Sequence, residues 1–444
     1  MTNHAQERDW AQLYARHLDE WNERLASALA ATGFDGLVIF AGNELTRFRD
    51  DQTYPFFVEA YFKAWVPLAD SPGSVLKLVP GEKPLLILLR EQDFWHASVD
   101  APTGYWVEHF DIREAASAAG VRKELGSVDS NLSILAESPP EMGSAASQNH
   151  GGLLSYLDYF RALKTDYEVA CIERANEIAA LGHAAAQEAF RNGASEFGIN
   201  SAYCLATQQT DEDLPYPNIV AVNEHAATLH YQKLQRDTPA KLRSFLLDAG
   251  AQYNGYASDV SRTCSGDEPA FESLIESMDG LQQAICAEVK SGTDFVALHN
   301  RAHELLADVL TEHLLLDCTS DEAYSTGMTR TFLPHGLGHL LGLQVHDVGG
   351  RQSNVSGELR DPPAEHPMLR LTRVLEPGFV VTIEPGLYFI PSLLKELRQS
   401  PLGRSADWDK LEALQSCGGI RVEDNVLVTS TGARNITRSA LETA

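Results

Sequence analysis

The sequence predicts two domains, a mixed α/β domain followed by an α+β domain with internal pseudo-symmetry. Its 444 residues are too many for one ordinary hydrophobic core. Helix and strand patterns alternate up to a boundary that we place near residue 160, which gives domains 1–160 and 161–444. In the second domain, two predicted helices precede a group of strands, and the same order then occurs again. This repeated pattern favours a central antiparallel sheet.

The first domain begins with a predicted helix over residues 9–32, because Trp10, Leu18 and Leu25 recur at helical spacing. Five segments then have strand patterns, and a Pro-Gly turn joins two of them as a hairpin. These segments are Leu37–Phe40, Ser74–Val79, Leu85–Leu89, Trp106–Ile112 and Leu132–Leu135. We find no catalytic constellation in this domain. Its polar and aromatic segment 50–56 is interpreted as a loop, with contact to a partner's site as the alternative.

The second domain opens with a capping box, in which Thr165 and Glu168 satisfy each other's backbone N–H groups. The box predicts a long helix that ends at Asn192-Gly193. The predicted helices are 166–192, 196–208, 271–289 and 295–312, and the predicted strands lie within 217–263 and 329–428. The polar, proline-containing segment 351–367 predicts a long loop, a feature that is commonly functional in compact domains.

Composition argues against several classes of function. The formal net charge of −27 disfavours a basic face for nucleic acid or for an anionic membrane. The six cysteines form no Cys-x-x-Cys pair, which favours a reducing compartment over a disulfide framework or a zinc cage. The first nine residues contain no apolar signal core, and no run of about 18 apolar residues occurs in the sequence. We therefore expect a cytoplasmic protein without nucleic-acid or membrane partners.

The chemistry centres on the segment Pro334–His346, which places His335, His339 and His346 within twelve positions. Glycines between them let the backbone bend where a side chain would forbid it. Neutral imidazole is the commonest metal ligand and the usual proton carrier near pH 7. A metal site of this kind also needs carboxylates. The sequence supplies them on both sides of the histidines, at Asp248, Asp259, Glu384 and Glu423.

Asp248 and Asp259 flank Asn254-Gly255, the strongest short hairpin signal. If the turn is centred on these two residues, Asp248 faces Ser261 and Asp259 is its diagonal neighbour. If the turn is centred one residue earlier, Asp248 faces Asp259 directly. Either register puts both aspartates on one face, because side chains alternate along a strand. Two like charges there are costly unless a cation lies between them, and the alternative is an exposed acidic pair.

The other two carboxylates lie in strand patterns. Glu384 ends the apolar run Gly378–Ile383, and Glu423 shares one strand face with Arg421 and Asn425. Each carboxylate alone fits an ordinary salt-bridged strand residue. Together, four carboxylates and one histidine fit a two-metal site, in which Arg421 offsets the single negative charge left by a bridging hydroxide. Mostly oxygen ligands favour an ion such as Mn²⁺ over a structural zinc.

Other histidines carry weaker signals. His299 and His303 lie four apart on a predicted helix, but Asn300 stands where a zincin helix needs glutamate. We therefore expect them on a solvated helix face. The Gly-x-Gly within the histidine segment has no preceding strand of the kind that a nucleotide-binding loop needs. His230 fits either a core histidine or a substrate contact.

The residues singled out above belong to five short motifs. These are Leu247–Gly250, Asp259–Thr263, His335–His339 with His346-Asp347, Thr382–Gly386 and Arg421–Asp424. In order and spacing they resemble the motifs of the pita-bread metallopeptidases, which implies the pita-bread fold for 161–444 and a creatinase-like domain for 1–160. The segments Asp50–Phe56 and Phe62–Trp65 resemble the bacterial Xaa-Pro dipeptidases that include the organophosphorus acid anhydrolases. Methionine aminopeptidases lack such an N-terminal domain, and creatinases lack the metal ligands.

This resemblance implies two Mn²⁺ ions per subunit, with Co²⁺ or Zn²⁺ as substitutes. The implied ligands are Asp248, Asp259, His339, Glu384 and Glu423. Asp259 and Glu423 would bridge both ions. In the same resemblance, Arg421 contacts the substrate carboxylate or Glu423, and Tyr388 helps to hold the tetrahedral intermediate.

The resemblance also implies the substrate contacts. They are His230, His335 and His346 for the peptide, with Tyr216, Leu229, Phe295 and Val345 lining a small pocket. Phe295 stands where the family often has tyrosine, so that contact lacks its hydroxyl. Asp51 would reach across a homodimer to the dipeptide amine in the neighbouring site, which would exclude longer peptides.

The implied activity is hydrolysis of the Xaa-Pro bond in dipeptides. Glu384 would take a proton from water and return it to the leaving proline nitrogen, while His335 and His346 stabilise the oxyanion or fix the proline carboxylate. One alternative is an aminopeptidase P that acts on longer Xaa-Pro peptides, and another is a metal-free binding protein on the same fold. Hydrolysis of organophosphate triesters is expected as a side activity.

Overall fold

A computed structural model describes residues 9–91, 94, 101–137 and 147–443. Two compact units make up the chain. The first consists of Met1–Cys171, Asn254–Tyr256 and Asn354–Glu358, and the second of Ile172–Tyr253, Ala257–Ser353 and Leu359–Ala444. The predicted absence of a signal core falls partly on residues 1–8, which lie outside the described residues. The domain ranges 1–160 and 161–444 stay a prediction.

The first unit contains a six-stranded mixed sheet. Its strands are β1 (Gly36–Phe40), β2 (Val75–Leu78), β3 (Leu85–Leu89), β4 (Asp111–Ala115), β5 (Leu132–Leu135) and β6 (Ser147–Gln148). They lie in the order β4-β3-β2-β1-β5-β6, and only the β1–β2 and β2–β3 pairs of this described sheet are antiparallel. The helices of this unit are α1 (Trp10–Thr32), α2 (Ala60–Trp65), α3 (Ala118–Leu125) and α4 (Gly151–Arg161).

The predicted first helix, hairpin and strand Leu132–Leu135 are confirmed, whereas the strand Trp106–Ile112 is wrong over most of its length. A 3₁₀ turn occupies Val107–His109, and β4 begins only at Asp111. The rings of Trp106 and Phe110, four residues apart, pack edge to face with centroids 5.8 Å apart. Both side chains are buried. Burying two aromatic rings at this spacing favours a helical turn over an extended strand.

The rest of the described chain has nine α-helices and ten short strands, which belong to the second unit except for α5 up to Cys171 and Tyr256 of β10. The helices are α5 (Asp166–Arg191), α6 (Glu196–Thr207), α7 (Pro269–Glu288), α8 (Phe295–Glu312), α9 (Ser320–Ser325), α10 (Thr329–Phe332), α11 (Pro391–Gln399), α12 (Trp408–Gln415) and α13 (Ile436–Leu441). The strands are β7 (Ile219–Val222), β8 (Ser244–Asp248), β9 (Gln252–Tyr253), β10 (Tyr256–Ala257), β11 (Ser261–Ser265), β12 (Val380–Ile383), β13 (Gly386–Tyr388), β14 (Gly419–Arg421), β15 (Asp424–Val428) and β16 (Ala433–Asn435).

The predicted capping box and the four predicted long helices are confirmed. The Thr165 N–H donates to Glu168 Oε2 at 2.8 Å, and the Glu168 N–H donates to Thr165 Oγ1 at 3.3 Å. The segment 329–428 is not only strand, because α10, α11 and α12 also lie within it. In α11 and α12 the buried residues Leu394, Leu397, Leu411 and Leu414 recur every three residues. This spacing is helical and was missed.

Antiparallel ladders form the centre of the second unit. One has the order β11-β8-β7, a second β12-β15-β16, and β13 pairs with β14. An isolated bridge joins Ser261, the first residue of β11, to Glu423, which lies between β14 and β15. Helices α5 and α6 pack against β7 and β8, where the rings of Phe190 and Phe245 stack at 5.1 Å. None of the helices in the described part of the chain combines the length and apolarity needed to cross a membrane.

Candidate active site

The hairpin formed by β8 and β11 brings the two predicted aspartates together. Asp248 is paired with Ser261, which confirms the register centred on Asn254-Gly255. Both turn residues have positive φ, as the Asn-Gly signal requires. Asp248 ends β8, and Asp259 lies two residues before β11. Only 9% and 5% of these residues are exposed, so the alternative of an exposed acidic pair is wrong.

The two glutamates reach the same place from the other ladders. Glu384 follows β12, and Glu423 lies between β14 and β15. The Glu423 N–H donates to the Ser261 carbonyl at 3.1 Å, and Ser261 Oγ donates to Glu423 Oε2 at 2.7 Å. A main-chain bridge and a side-chain hydrogen bond therefore fix Glu423 to the aspartate hairpin.

The histidine segment contacts the edge of β12 directly. A side chain on Gly338 would place its Cβ 2.0 Å from the Thr382 carbonyl oxygen, so only glycine fits this approach. The His339 N–H donates to Thr382 Oγ1, and the Thr382 N–H donates to the His339 carbonyl. His339 Nδ1–H donates to the Leu340 carbonyl at 3.0 Å, which leaves Nε2 with its lone pair available.

The available nitrogen of His339 faces carboxylates. Nε2 lies 3.4 Å from Asp259 Oδ2 and 3.7 Å from Glu384 Oε1. One ligand atom each of Asp259, His339 and Glu423 lie within 4.8 Å of one another. Asp248 and Glu384 lie close to this group. After burial, the charge of Asp248 contributes to the raised pKa values of Asp259 and Glu423. Burial, followed by the charges of Glu423, Asp259 and Asp248, raises the pKa of Glu384. The structure thus brings all five predicted ligands to one buried point.

Electrostatics indicate that this cluster is built for cations. Burial, followed by the charges of neighbouring carboxylates, raises the pKa values of Asp259, Glu384 and Glu423 well above the usual range. Like charges at this depth are unfavourable unless positive charge lies between them. Four carboxylates and one imidazole are a donor set suited to two divalent ions, so the residues present fit the implied metal pair.

Arg421 is the one buried cation that donates hydrogen bonds to this cluster among the described residues. Its guanidinium donates to Asp248 Oδ2 at 2.6 Å, to Ser261 Oγ at 3.0 Å and to the Tyr388 hydroxyl at 2.9 Å. Ser261 in turn donates to Glu423. Arg421 therefore orients two predicted ligands, Asp248 directly and Glu423 through Ser261. The sequence predicted a contact of Arg421 with Glu423 but not the contact with Asp248.

Tyr388 links this arginine to a histidine. His335 Nδ1–H donates to the Gly336 carbonyl at 2.8 Å, so its Nε2 accepts the Tyr388 hydroxyl proton at 2.9 Å. Burial, followed by the charge of Arg421, lowers the pKa of His335 to about 4. His335 is therefore neutral near pH 7, and Nδ1 lies 3.7 Å from Glu384 Oε2.

Tyr216 has contacts that the sequence did not indicate. It was expected to line a pocket, yet its hydroxyl lies 2.8 Å from Asp248 Oδ1 and 2.5 Å from Asp259 Oδ1. One hydroxyl proton can serve only one of these oxygens at a time. No local pattern around Tyr216 pointed to this contact, because the tyrosine lies in an irregular segment more than thirty residues before its partners.

The other predicted substrate contacts differ in how exposed they are, and their roles stay predictions. His346 is exposed, and its ring centroid is 4.4 Å from that of His339. His230 is exposed. Leu229 and Val345 are half-buried, whereas Phe295 is fully buried as the first residue of α8. Asp51 is exposed in the first unit.

The expectation that His299 and His303 lie on a solvated helix face is wrong. Each is only 1% exposed. On α8 they share the buried stripe of Leu298, Ala302 and Leu306. Apolar residues that recur every three or four positions mark the buried face of a helix. His299 and His303 lie on that face of α8, so this spacing predicts that both side chains are buried.

Comparison with known proteins gives consistent matches along the whole chain. Residues 170–430 match the model of metallopeptidase family M24, and residues 12–159 match that of the Xaa-Pro dipeptidase N-terminal domain. The chain is 44% identical over 439 residues to an Xaa-Pro dipeptidase of Stenotrophomonas maltophilia, covering 99% of each chain. It is 45% identical over 427 residues to an Xaa-Pro dipeptidase of Xanthomonas campestris pv. campestris, covering 96% of this chain and 97% of the relative.

Solved structures are similar in fold. Proline aminopeptidase P II from Yersinia pestis has a TM-score of 0.71 and 23% identity, over 97% of this chain and 96% of that one. Aminopeptidase P from E. coli with the inhibitor Pro-Leu has a TM-score of 0.72 and 23% identity, over 97% and 95%. At this identity the likeness concerns the fold, which agrees with the predicted fold class.

Proposed function

The chain belongs to metallopeptidase family M24, and from that premise we propose that it hydrolyses the Xaa-Pro bond of dipeptides and releases proline. One observation carries the proposal. Asp248, Asp259, His339, Glu384 and Glu423 converge on one buried point where their carboxyl groups repel one another. Relatives from Stenotrophomonas maltophilia and Xanthomonas campestris that match nearly the full length of the chain are Xaa-Pro dipeptidases, which supports the choice of substrate.

The five converging residues would hold two divalent ions. Oxygen donors outnumber the single nitrogen, which favours Mn²⁺, with Co²⁺ or Zn²⁺ as substitutes. When bound, the ions polarise the scissile carbonyl and lower the pKa of water toward 7. Around this centre, Arg421 keeps Asp248 oriented and holds Glu423 through Ser261.

Glu384 is the proton carrier in this proposal. It is partly accessible, and burial, followed by the charges of the neighbouring carboxylates, raises its pKa, so it is able to accept and hold a proton. It takes that proton from the attacking water and returns it to the leaving proline nitrogen. A proline amide has no N–H for an enzyme to hold, so recognition depends on a shaped pocket. Tyr216, Leu229, Phe295 and Val345 are proposed to line this pocket.

The histidines are proposed to divide the remaining work. His346 and His230 are exposed and available to a peptide, whereas both nitrogens of His335 are engaged by Gly336 and Tyr388 in this structure. His346 stabilises the developing oxyanion or fixes the proline carboxylate. For His335 to share this role, one of its two contacts must be exchanged for the substrate, because its only N–H is held by the Gly336 carbonyl. Tyr388 holds the accepting Nε2 of His335 and, once released from it, supports the tetrahedral intermediate.

Replacing Tyr388 with phenylalanine tests this arrangement. The variant loses the hydroxyl that joins Arg421 to His335, and we expect kcat/KM for Leu-Pro to fall about 10- to 100-fold with the metal content unchanged. Tyr203→Phe is a matched control, because the Tyr203 hydroxyl is buried without a hydrogen-bond partner among the described residues. Equal activity of both variants would contradict the role of Tyr388.

We also infer a homodimer in the cytoplasm. Several large apolar side chains near Asp51 are exposed, which is typical of an interface: Leu45, Phe48, Tyr54 and Phe57. In the dimer, Asp51 of one subunit would meet the dipeptide amine in the other and exclude longer peptides. The six free cysteines suit a reducing compartment.

Two metals beside a small pocket also suit a phosphoryl centre, so we propose slow hydrolysis of organophosphate triesters as a side activity.

Release of free proline tests the proposed function directly. The protein is chelated, then assayed with Leu-Pro and with Leu-Pro-Gly, with and without Mn²⁺. We expect cleavage of Leu-Pro only, and only with metal. Cleavage of the tripeptide would favour an aminopeptidase P, and cleavage by the chelated protein would contradict metal dependence.

A further inference from the structure

Three imidazoles form a second cluster in the catalytic unit, outside the carboxylate centre. His299 and His303 lie on consecutive turns of α8, and His366 comes from the segment 351–367. The ring centroids are 4.7 Å apart for His299 and His303, 4.2 Å for His299 and His366, and 4.7 Å for His303 and His366. One nitrogen of each residue lies within 4.8 Å of the corresponding nitrogens of the other two.

The buried nitrogens of this cluster lack partners. Within the described residues, neither nitrogen of His299 and not Nε2 of His303 has a hydrogen-bond partner, although both side chains are 1% exposed. Leaving several buried polar atoms unpaired is costly, and proteins generally avoid it. Three buried imidazole nitrogens on α8 are therefore without a partner among the described protein atoms.

His303 has the geometry of a metal ligand. Its Nδ1 lies 2.9 Å from Thr329 Oγ1, a buried hydroxyl that fixes the ring, so Nε2 is the nitrogen left without a partner among the described residues. A hydrogen bond from the second ring nitrogen is usual for histidines that bind metal. Burial lowers the pKa of His299 to about 2 and that of His303 to about 3, so both are neutral near pH 7, the form that binds a cation.

We propose that His299, His303 and His366 bind one divalent cation that prefers imidazole, with zinc as the expected ion. Ligand nitrogens in a tetrahedral zinc site are roughly 3.4 Å apart. The nitrogens of the three histidines lie within 4.8 Å of one another, so each pair would approach by at most about 1.4 Å on binding zinc. A cavity of about 130 Å³, lined by His299, His366, Arg330 and Glu365 among others, adjoins the cluster. It leaves room for water as the fourth ligand. Three nitrogen donors with one open position are typical of an exchangeable zinc rather than of a closed structural site.

The two centres would select different metals. The carboxylate centre offers mostly oxygen, which suits Mn²⁺, whereas the three-histidine site offers only nitrogen, which suits zinc. The zinc would tie His366, near the end of the segment 351–367, to α8. The cavity beside it is also lined by Pro334 and His335, so the tie lies next to the histidine segment.

Metal stoichiometry tests the proposal independently of catalysis. The double variant Asp259→Asn/Glu423→Gln disables the carboxylate centre, and after chelation it is dialysed against limiting zinc and its metal content measured. We expect one zinc per chain. Adding His366→Gln to this variant should abolish that zinc, whereas adding His313→Gln should not. His313, the C-terminal cap of the same helix, contacts Ser277 and serves as the matched control.

Cobalt gives a second readout. Co²⁺ bound to the double variant should absorb in the visible range with the intensity of a tetrahedral nitrogen site, and His366→Gln should remove this absorption. His366 is half-buried, so its replacement keeps the test valid where His303→Gln fails to fold. Zinc content that is unchanged by His366→Gln, or the absence of zinc from a folded double variant, would overturn the proposal.

Discussion

The Glu423→Ala variant is expected to lose turnover of Leu-Pro and the ability to hold its metal pair together. Glu423 is 2% exposed and lies within 4.8 Å of ligand atoms of Asp259 and His339. In the proposed site it would be a ligand together with Asp259, so its loss would remove a donor that Asp259 alone does not replace. We expect kcat/KM to fall by more than about 10³-fold, beyond the usual loss of one transition-state donor. Metal content measured after dialysis should fall in parallel.

The isosteric variant Glu423→Gln separates charge from shape. It keeps a side-chain oxygen that accepts from Ser261 Oγ but removes a charge that Asp259 and Asp248 repel. After chelation, its thermal unfolding should therefore begin no lower than that of the chelated parent, although added Mn²⁺ no longer stabilises it. The surface change Glu396→Gln on α11 is the control and should alter neither property. Full activity in either Glu423 variant would refute its assignment as a ligand.

The Glu384→Gln variant is expected to keep substrate binding and lose the chemical step. The amide retains one oxygen toward His339 but has no basic oxygen for a proton. General acid–base catalysis is typically worth about 10²- to 10⁴-fold, and we expect kcat for Leu-Pro to fall within that range with KM little changed. Because Glu384 is also a proposed ligand, steady-state kinetics are measured at saturating Mn²⁺ together with the metal content, with Glu396→Gln again as control. A kcat equal to that of the parent would rule out Glu384 as the proton carrier.

Much of the fold followed from local patterns. The capping box at Thr165, the Asn-Gly register of the aspartate hairpin and the spacing of the long helices depend on residues within a few positions of one another. Such signals are present in the sequence before any distant contact forms. The predicted family and fold class are confirmed, because five short motifs in one order restrict the choice more than any single motif does.

The contacts that escaped prediction are those between distant segments. Tyr216 reaches Asp248 and Asp259 from an irregular segment, and no periodic pattern marks such a contact. His366 meets His299 across 67 positions of the sequence, in a segment interpreted only as a loop. His299 itself was misplaced because the missing glutamate of a zincin helix was taken as a sign of solvent exposure, although polar residues are also buried when a cluster receives them.

The bridge between Ser261 and Glu423 has a consequence for the order of events on the ribosome. The two residues are separated by 162 positions. At about 5–20 residues per second, roughly 8–32 s pass between their synthesis. During that interval the nascent chain exposes an aspartate hairpin that has no glutamate to share its cations. The proposed metal site is therefore complete only after Glu423 has been synthesised, 162 residues after Ser261.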